Sequence, residues 1–435
     1  MEDSTRTAVR APAPEAGPPD APRPTGRRLL WRWGPPLVAF LASNLMYAVA
    51  AARGGYHYLD ASVHTRFDSV QYLGIADRGY EMFSCGVNAR LAANYGADSW
   101  CGNAGWFPLY SGLVALLRRV TGLSLDGAGF VVTELATLSL VLLAWWALSQ
   151  ALPAEEGQGV AGPGSGRDGA PARTLAVLAL VLLIPGAVYF HANFPMSLAV
   201  AASMAYVLFL ARRRWVAAGL AGALATAAYP IGGLVAVVGL VAVGVLVARR
   251  RLTAGRAVGV LAAVCALPAA GMLAVFAVLQ VTVGHWNGYF LIQEHYSGGR
   301  GHNPVGNFRW EVARPARVWV VDPDPHLVAR LHETVRLSIW VALALVLLVV
   351  AAAVVGARRD RLTAVDAGLT VFMVAMFVAP LVVGNQVVQY RSHTLLVPGL
   401  LVLRHLPAWL LWPLVVLLVP LAYRMGTLFF PSLLT

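Results

Sequence analysis

Long apolar runs, separated by short connections that carry arginine, constrain this 435-residue chain more than any other feature. Hydrophobic residues make up 58% of the chain and charged residues only 12%, against about 25% charged residues in a typical soluble domain. So little charge cannot cover a water-facing surface, and much of the surface must therefore face lipid. The sequence predicts an all-α polytopic membrane protein with about eleven transmembrane helices.

The apolar runs differ in length, and several are shorter than the ~20 residues that cross a bilayer. They are 35–52, 126–151, 174–190, 195–211, 215–229, 231–248, 257–281, 336–356, 362–383, 391–404 and 408–430. The stretch between Arg214 and Arg249 is basic at both ends and is interrupted at Tyr229-Pro230, so a helical hairpin that turns at Pro230 is expected. Residues 1–26 are rich in Pro, Ala and charge, which predicts a disordered cytoplasmic tail before a membrane domain at 27–430.

The arginine clusters predict the orientation of the chain in the cell membrane. They fall on alternate connections, which the positive-inside rule assigns to the cytoplasm together with the N-terminus. The arginines concerned are Arg27, Arg28, Arg167, Arg173, Arg212, Arg213, Arg214, Arg249, Arg250, Arg251, Arg358, Arg359, Arg361 and Arg404. Two long loops, 53–125 and 282–335, are then extracytoplasmic. The net charge of +12 arises from these clusters and not from one basic face with interleaved aromatic residues, so nucleic acid is not an expected partner.

The distribution of polar residues separates two classes of membrane protein. A transporter or flippase for a lipid-linked sugar would need charges buried in several spans. Glu134 and Asp366 are the visible charged residues of the central spans, and the sequence places both near helix ends. No internal repeat is apparent, and the polar residues are concentrated in the first long loop. This asymmetry favours an enzyme that acts at the outer membrane face, with the transporter as the alternative.

The first loop contains the stretch Arg66-Phe67-Asp68-Ser69, which continues to Tyr80. Apolar residues recur at helical spacing from Phe67 onward, which predicts a helix that lies in the membrane interface. Asp68 stands at the start of this helix, where a carboxylate either caps free N–H groups or acts on a substrate at the lipid surface. The later segment Trp106-Phe107-Pro108-Leu109-Tyr110 is either an interfacial aromatic belt or the wall of a substrate groove.

These two segments resemble motifs of the PIG-V family of GT-C glycosyltransferases. Arg66-Phe67-Asp68-Ser69, Tyr72-Leu73, Ile75-Ala76 and Gly79-Tyr80 follow the family pattern WDS-x-x-Y-L-x-I-A-x-x-G-Y, and Trp106–Tyr110 resembles its FFPLYP segment. Weaker likenesses are Arg212-Arg213-Arg214-Trp215, Tyr229-Pro230-Ile231-Gly232, Gln293, and Gln389-Tyr390-Arg391. Three positions depart from the pattern: Phe67 replaces the Trp of WDS, Tyr229 replaces the Arg of RPTG, and Asn193–Ser197 lacks the acid of a Ser-Glu-Ser segment.

The resemblance implies a GT-C-type bundle and an inverting mannosyltransferase that uses a polyprenyl-phosphate mannose donor. It implies Asp68 as the general base and Arg391 as the cation that receives the leaving phosphate, with His393, Arg66 and Arg300 as weaker candidates for that cation. Ser69, Tyr72 and Gln293 are implied to bind substrate. The residues implied to shape the acceptor groove are Trp106, Phe107, Pro108, Tyr110, Tyr229 and Pro230. The expected acceptor is a cell-envelope glycolipid or glycan polymer, and the departures keep an inactive scaffold relative as a further alternative.

The cysteines and histidines set limits on other kinds of site. Cys85 and Cys101 share the first loop, where they are either disulfide-bonded or two free thiols. His285, His295 and His302 lie in the second loop, but their spacing matches no compact zinc motif. We therefore expect no structural metal and no required cofactor. Binding of a loosely held divalent cation is kept as an alternative.

Overall fold

The computed structural model describes residues 26–152, 170–294, 303–313, 325–383 and 389–434, and over these ranges the chain is an all-α membrane protein. Seven of the described helices are long and apolar enough to cross a bilayer: Leu30–Arg53, Leu125–Gln150, Pro230–Ala248, Ala254–Val283, Pro325–Arg358, Ala364–Val382 and Ala408–Phe429. Three apolar helices are shorter: Pro171–Leu183, Met196–Ala211 and Trp215–Ala228. The multi-pass architecture is confirmed, whereas the count of eleven crossings stays a prediction. The expected tail lies outside the described residues except for Gly26, where the first helix begins.

The predicted break at Pro230 is present. One helix ends at Ala228, Tyr229 is extended, and a 3₁₀ turn over Pro230–Val235 leads into the helix Ala236–Ala248. Proline lacks the N–H that would continue the first helix, which explains why the break falls there. The helix Trp215–Ala228 then packs closely against Ala254–Val283, since a Cβ on Gly219 would lie 2.0 Å from the carbonyl oxygen of Ala263. Small residues permit this kind of close helix approach in membranes.

The apolar run at 391–404 is not one regular helix, and its prediction as an ordinary helical span is wrong. The chain here consists of the helix Gln389–Ser392, a 3₁₀ turn His393–Leu396, the helix Val397–Leu400 and a second 3₁₀ turn Leu401–His405. Every side chain from 392 to 403 is buried. Irregular backbone is tolerated at membrane depth only where protein surrounds it, and composition alone does not distinguish such a buried segment from a lipid-facing helix.

The two long loops contain short elements of their own. The first holds the helices Ser69–Arg78, Ala89–Tyr95 and Pro108–Thr121 and a two-stranded antiparallel hairpin of Met82–Ser84 with Trp100–Gly102. The described part of the second holds the helices Gly288–Gln293 and Pro304–Ala313. The following helix, Pro325–Arg358, begins inside the predicted loop 282–335, so the last residues of that loop are helical. Its first turns carry His326, Arg330 and Glu333, and these polar residues hid the start of the helix from the apolar pattern.

Contacts between connections divide them into two groups at opposite ends of the helices. One group joins the two long loops to the start of the 389–405 segment and to the last helix: Gln293 with Gly105, Asp68 with Arg391, and Arg66 with Phe430. The other group joins the basic connections: Arg212 with Gln150, Arg249 with Leu362, and Arg404 with Asp366. The polar loops and the basic turns are thus separated by the length of the apolar helices.

Candidate active site

Asp68 lies immediately before the helix Ser69–Arg78, where a carboxylate often caps the first turn. Its side chain makes no capping hydrogen bond. Oδ2 of Asp68 instead accepts a hydrogen bond from Nη1 of Arg391 at 2.7 Å. The preceding residue, Phe67, has a φ of +46°, a left-handed conformation that costs a non-glycine residue about 1–3 kcal/mol. The interpretation of Asp68 as a helix cap is therefore not supported, and the chain enters the helix through a strained turn.

Arg391 is the more buried partner of this ion pair. Its side chain is 13% exposed, whereas that of Asp68 is 34% exposed. The guanidinium carbon lies 5.6 Å from the ring centroid of Phe194, within reach of a cation–π interaction. The tyrosines that contribute to its electrostatic surroundings are Tyr189, Tyr229 and Tyr390. The site is thus a partly exposed carboxylate held against a cation in an aromatic wall.

Tyr72, on the helix that follows Asp68, contributes an uncharged hydroxyl to these surroundings. Burial raises the pKa of its phenol well above the ordinary value. The phenol therefore keeps its proton near neutral pH and acts as a neutral hydrogen-bonding group.

Three buried polar atoms around the pair have no hydrogen-bond partner among the residues that the structure describes. They are Nε of Arg391, Oγ of Ser69 and Oγ of Ser392, and each serine adjoins one member of the pair in the sequence. Leaving such a group unpaired costs about 1–3 kcal/mol, and native proteins contain few of them. A bound ligand or water would satisfy these atoms, which makes the surroundings of the pair a candidate binding site.

The contacts of Arg66 differ from those expected of an arginine that binds a phosphate. Its Nε and Nη2 donate to the carbonyl oxygen of Phe430, at 3.2 and 2.7 Å, and its Nη1 donates to the carbonyls of Thr65 and Ser62. The guanidinium therefore fastens the first loop to the end of the last helix. Within the described part of the chain Arg66 forms no ion pair, and its donors are directed at main-chain oxygens.

The residues just before Asp68 are held by buried polar side chains. Nδ1 and Nε2 of His64 lie 2.6 and 2.7 Å from the carbonyl oxygens of His191 and Tyr58. Asn193, in the segment that lacks the acid of the family pattern, donates to Oγ1 of Thr65 at 2.8 Å. Oγ1 of Thr65 in turn donates to Asp126. These contacts fix the approach to Asp68 and offset the strain at Phe67.

A second polar cluster, which the sequence did not reveal, lies between the first helix and Leu125–Trp146. Glu134 accepts a hydrogen bond from the ring of His191 at 2.8 Å and another from the amide of Asn44 at 3.2 Å. The other ring nitrogen of His191 lies 2.9 Å from Oγ of Ser43, and Tyr58 donates to Asn44. Glu134 is well inside its helix, so its expected place near a helix end is wrong. Polar residues within apolar runs were the available signal.

The aromatic residues expected to shape an acceptor groove are largely interior. Trp106, Phe107 and Tyr110 are buried, and Pro108 opens the helix Pro108–Thr121. The ring of Tyr110 packs 5.9 Å from that of Tyr72, which in turn lies 5.2 Å from Phe194. This stack supports the ring beneath Arg391, so the contribution of Tyr110 to the site is indirect. Pro230 begins the turn that follows Tyr229.

The remaining predicted residues are not brought to the pair by any described contact. Nε2 of Gln293 donates to the carbonyl of Gly105 at 2.9 Å and so docks the second loop on the first. The ring of His393 lies nearly parallel to that of Phe377, with both ring nitrogens unpartnered among the described residues.

Arg300, His295 and His302 lie outside the described residues. Over the described ranges, no group of three or more His, Cys, Asp and Glu side chains is arranged to hold a metal ion.

The hairpin of the first loop is closed by a disulfide. Cys85 is bonded to Cys101, and Phe83 pairs with Cys101 across the two strands. The neighbouring Trp100 packs 4.8 Å from the ring of His285 in the second loop. The hairpin therefore forms part of the surface on which the second loop is seated.

We expect the double variant Cys85→Ser/Cys101→Ser to loosen this hairpin, with little effect on the membrane helices. The crosslink joins residues 16 apart, and a loop of about 15 residues contributes about 3 kcal/mol in the chain-entropy description. Amide hydrogen exchange over residues 81–103 should accelerate, while exchange in Leu125–Gln150 stays as in the wild type. Cys265→Ser, which removes a free thiol, is the matched control. Unchanged exchange in the hairpin would show that its other contacts suffice.

Comparison with known proteins adds no further assignment, since no protein-family model matches this chain and no curated protein matches it. The resemblance to the PIG-V family therefore rests on the residues quoted above and stays a prediction.

Proposed function

We propose that this protein is an integral-membrane glycosyltransferase that moves mannose from a polyprenyl-phosphate donor to a glycolipid or polymer of the cell envelope. The observation that carries the proposal is the Asp68–Arg391 pair, in which residues 323 positions apart in sequence place a carboxylate and a guanidinium 2.7 Å from each other. Unpartnered polar atoms adjoin this pair. Transfer of a sugar from a phosphate requires a base for the acceptor hydroxyl and a cation for the leaving phosphate, and the pair supplies one of each.

The reaction proceeds by a single displacement with inversion at the anomeric carbon. An acceptor hydroxyl oxygen attacks this carbon while Asp68 takes up the hydroxyl proton. The bond between the anomeric carbon and the phosphate oxygen breaks, and its electron pair leaves with the polyprenyl phosphate. Arg391 stabilises the negative charge that develops on that phosphate. Ser69 and Ser392 supply hydroxyls to the bound sugar or phosphate.

The proposal includes a location for the site. The donor is held in the bilayer by its polyprenyl chain, so its phosphate lies at the membrane surface. The pair lies at the end of the helices that carries the long polar loops, away from the basic turns. With the basic turns assigned to the cytoplasm, the active site is extracytoplasmic and the N-terminus cytoplasmic. The eleven-span GT-C-type arrangement belongs to the same proposal.

Transport of a lipid-linked sugar is the rival function, and Glu134 is the residue that favours it. This carboxylate lies inside a candidate span, and ionisable groups at such positions often mark a transport pathway. Its partners in the structure are His191 and Asn44. A catalytically inactive scaffold is the remaining possibility.

Membranes that contain the protein test these functions directly. Radiolabelled polyprenyl-phosphate mannose and a cell-envelope lipid fraction are supplied, and labelled product is separated from labelled donor. We expect protein-dependent transfer of label to an acceptor, measured against membranes without the protein. Movement of intact donor across sealed vesicles without transfer would support the transporter. Neither transfer nor movement across a panel of donors and acceptors would favour the scaffold.

A further inference from the structure

The Asp68–Arg391 pair has one cation for two anions once a donor is bound. Asp68 supplies the first negative charge, and the donor phosphate supplies the second. Within the described residues, Asp68 and Arg391 form an ion pair with each other. The structure therefore shows the proposed base engaged with this guanidinium.

We propose that the donor phosphate competes with Asp68 for Arg391, so that Asp68 becomes an effective base only after the donor has bound. This inference rests on the proposed function and adds regulation of the same site. While Oδ2 of Asp68 accepts the hydrogen bond from Arg391, that oxygen is occupied and does not face an acceptor hydroxyl. Drawing Arg391 toward a phosphate removes this restraint from Asp68.

The guanidinium of Arg391 keeps one donor for a further acceptor while it contacts Asp68. Its Nε is buried and has no partner among the described residues. The guanidinium carbon lies 5.6 Å from the ring centroid of Phe194, and a guanidinium presents five N–H groups in a planar fork that suits phosphate. Because Nε is buried, a phosphate reaches it only when the side chain shifts away from its present contacts, which include the one with Asp68.

An ordered reaction follows from this competition. In the absence of donor, an acceptor hydroxyl meets a carboxylate that is occupied by Arg391. With donor bound, the phosphate neutralises Arg391 and the anomeric carbon is in place at the same time. Deprotonation of the acceptor is therefore coupled to the presence of a sugar to receive it.

The inference makes a prediction that base catalysis alone does not make. Asp68→Asn removes the competing anion, so the variant should bind a prenyl phosphate more tightly than the wild type, by about tenfold or more. A tenfold change corresponds to about 1.4 kcal/mol. Full-length protein in detergent is titrated with farnesyl phosphate as the probe, and the dissociation constant is measured by calorimetry. Farnesol, which has the same chain without the anion, should bind both proteins equally. A separate titration with inorganic phosphate measures how much of the gain in affinity comes from the anion alone.

Three further variants complete this experiment. Arg391→Gln should lose the phosphate-dependent part of the affinity, and Asp77→Asn, on the same helix and paired with Arg118, should bind as the wild type. Asp68→Ala should repeat the gain seen with Asp68→Asn, which guards against a folding defect in one variant. Equal or weaker binding by both Asp68 variants would overturn the inference, as would normal binding by Arg391→Gln.

The transfer assay separates this inference from the proposed function. Tighter binding by the Asp68 variants in a protein that transfers no sugar would support the competition and count against the transferase. Transfer by the wild type, with no gain in binding by the Asp68 variants, would leave the transferase standing and remove the competition.

Discussion

Replacing Asp68 with Asn is expected to lower the rate of sugar transfer by about 10²–10⁴-fold, the usual contribution of a general base. Asn keeps the shape of the side chain but cannot take a proton from the acceptor hydroxyl. The rate is measured with saturating donor in membranes that contain equal amounts of folded protein. A large fall in kcat with a smaller change in KM is the signature expected of a lost base.

The matched control for this variant is Asp77→Asn, on the same helix as Asp68. Asp77 is partly exposed and pairs with Arg118, so its loss should leave the transfer rate within about twofold, since such surface pairs contribute ~1 kcal/mol or less. Transfer by Asp68→Asn at the wild-type rate would place the base on another residue. Equal losses in both variants would indicate a general effect on the helix.

The second large effect is expected at the opposite end of the helices, at Asp366. This fully buried carboxylate accepts hydrogen bonds from Nη1 and Nη2 of Arg404, at 2.5 and 2.8 Å, from His405 at 3.0 Å, and from the main chain and hydroxyl of Thr363. Removing one partner of a buried ion pair destabilises a protein by about 3–5 kcal/mol, because the other charge remains buried. Asp366→Ala should therefore lower the unfolding midpoint in detergent markedly.

Two comparisons make the Asp366 prediction specific. Asp360→Asn alters a nearby exposed acid with a φ of +52°, a conformation that Asn tolerates well, so its effect should stay within about 0.5 kcal/mol. The double variant Asp366→Ala/Arg404→Leu removes both charges and should be less destabilised than Asp366→Ala. A double variant as unstable as the single one would mean that packing, and not the uncompensated charge, dominates the loss.

The sequence predicted the membrane class, the break at Pro230 and both members of the candidate pair, because each leaves a local mark. Apolar length marks a span, proline marks a break, and an acid or arginine beside an apolar run marks an unusual charge. The contact between Asp68 and Arg391 has no such mark, since it depends on how the chain folds across 323 positions. Residue type likewise did not separate Arg391 from Arg66, because a guanidinium can bind a carboxylate or carbonyl oxygens equally well.

Apolar composition also misled in the segment from 391 to 404. A helix that faces lipid and an irregular segment surrounded by other helices can have the same hydrophobic content, since both exclude water. The difference lies in what satisfies the main-chain polar groups, which is a property of the neighbours. The cluster of Ser43, Asn44, Glu134 and His191 was missed for a related reason. These polar residues come from three separate places in the sequence, each in or beside an apolar run, and only their mutual contacts reveal a group.

The hydrogen bonds between Arg66 and Phe430 have a consequence for the order of events during biosynthesis. Arg66 leaves the ribosome 364 residues before Phe430, and Asp68 leaves it 323 residues before Arg391. The loop that carries Asp68 is therefore in place long before the chain that secures it exists. A nascent chain that ends before Arg391 lacks both the partner of Asp68 and the anchor of Arg66, so the candidate site is completed only after Phe430 has been synthesised.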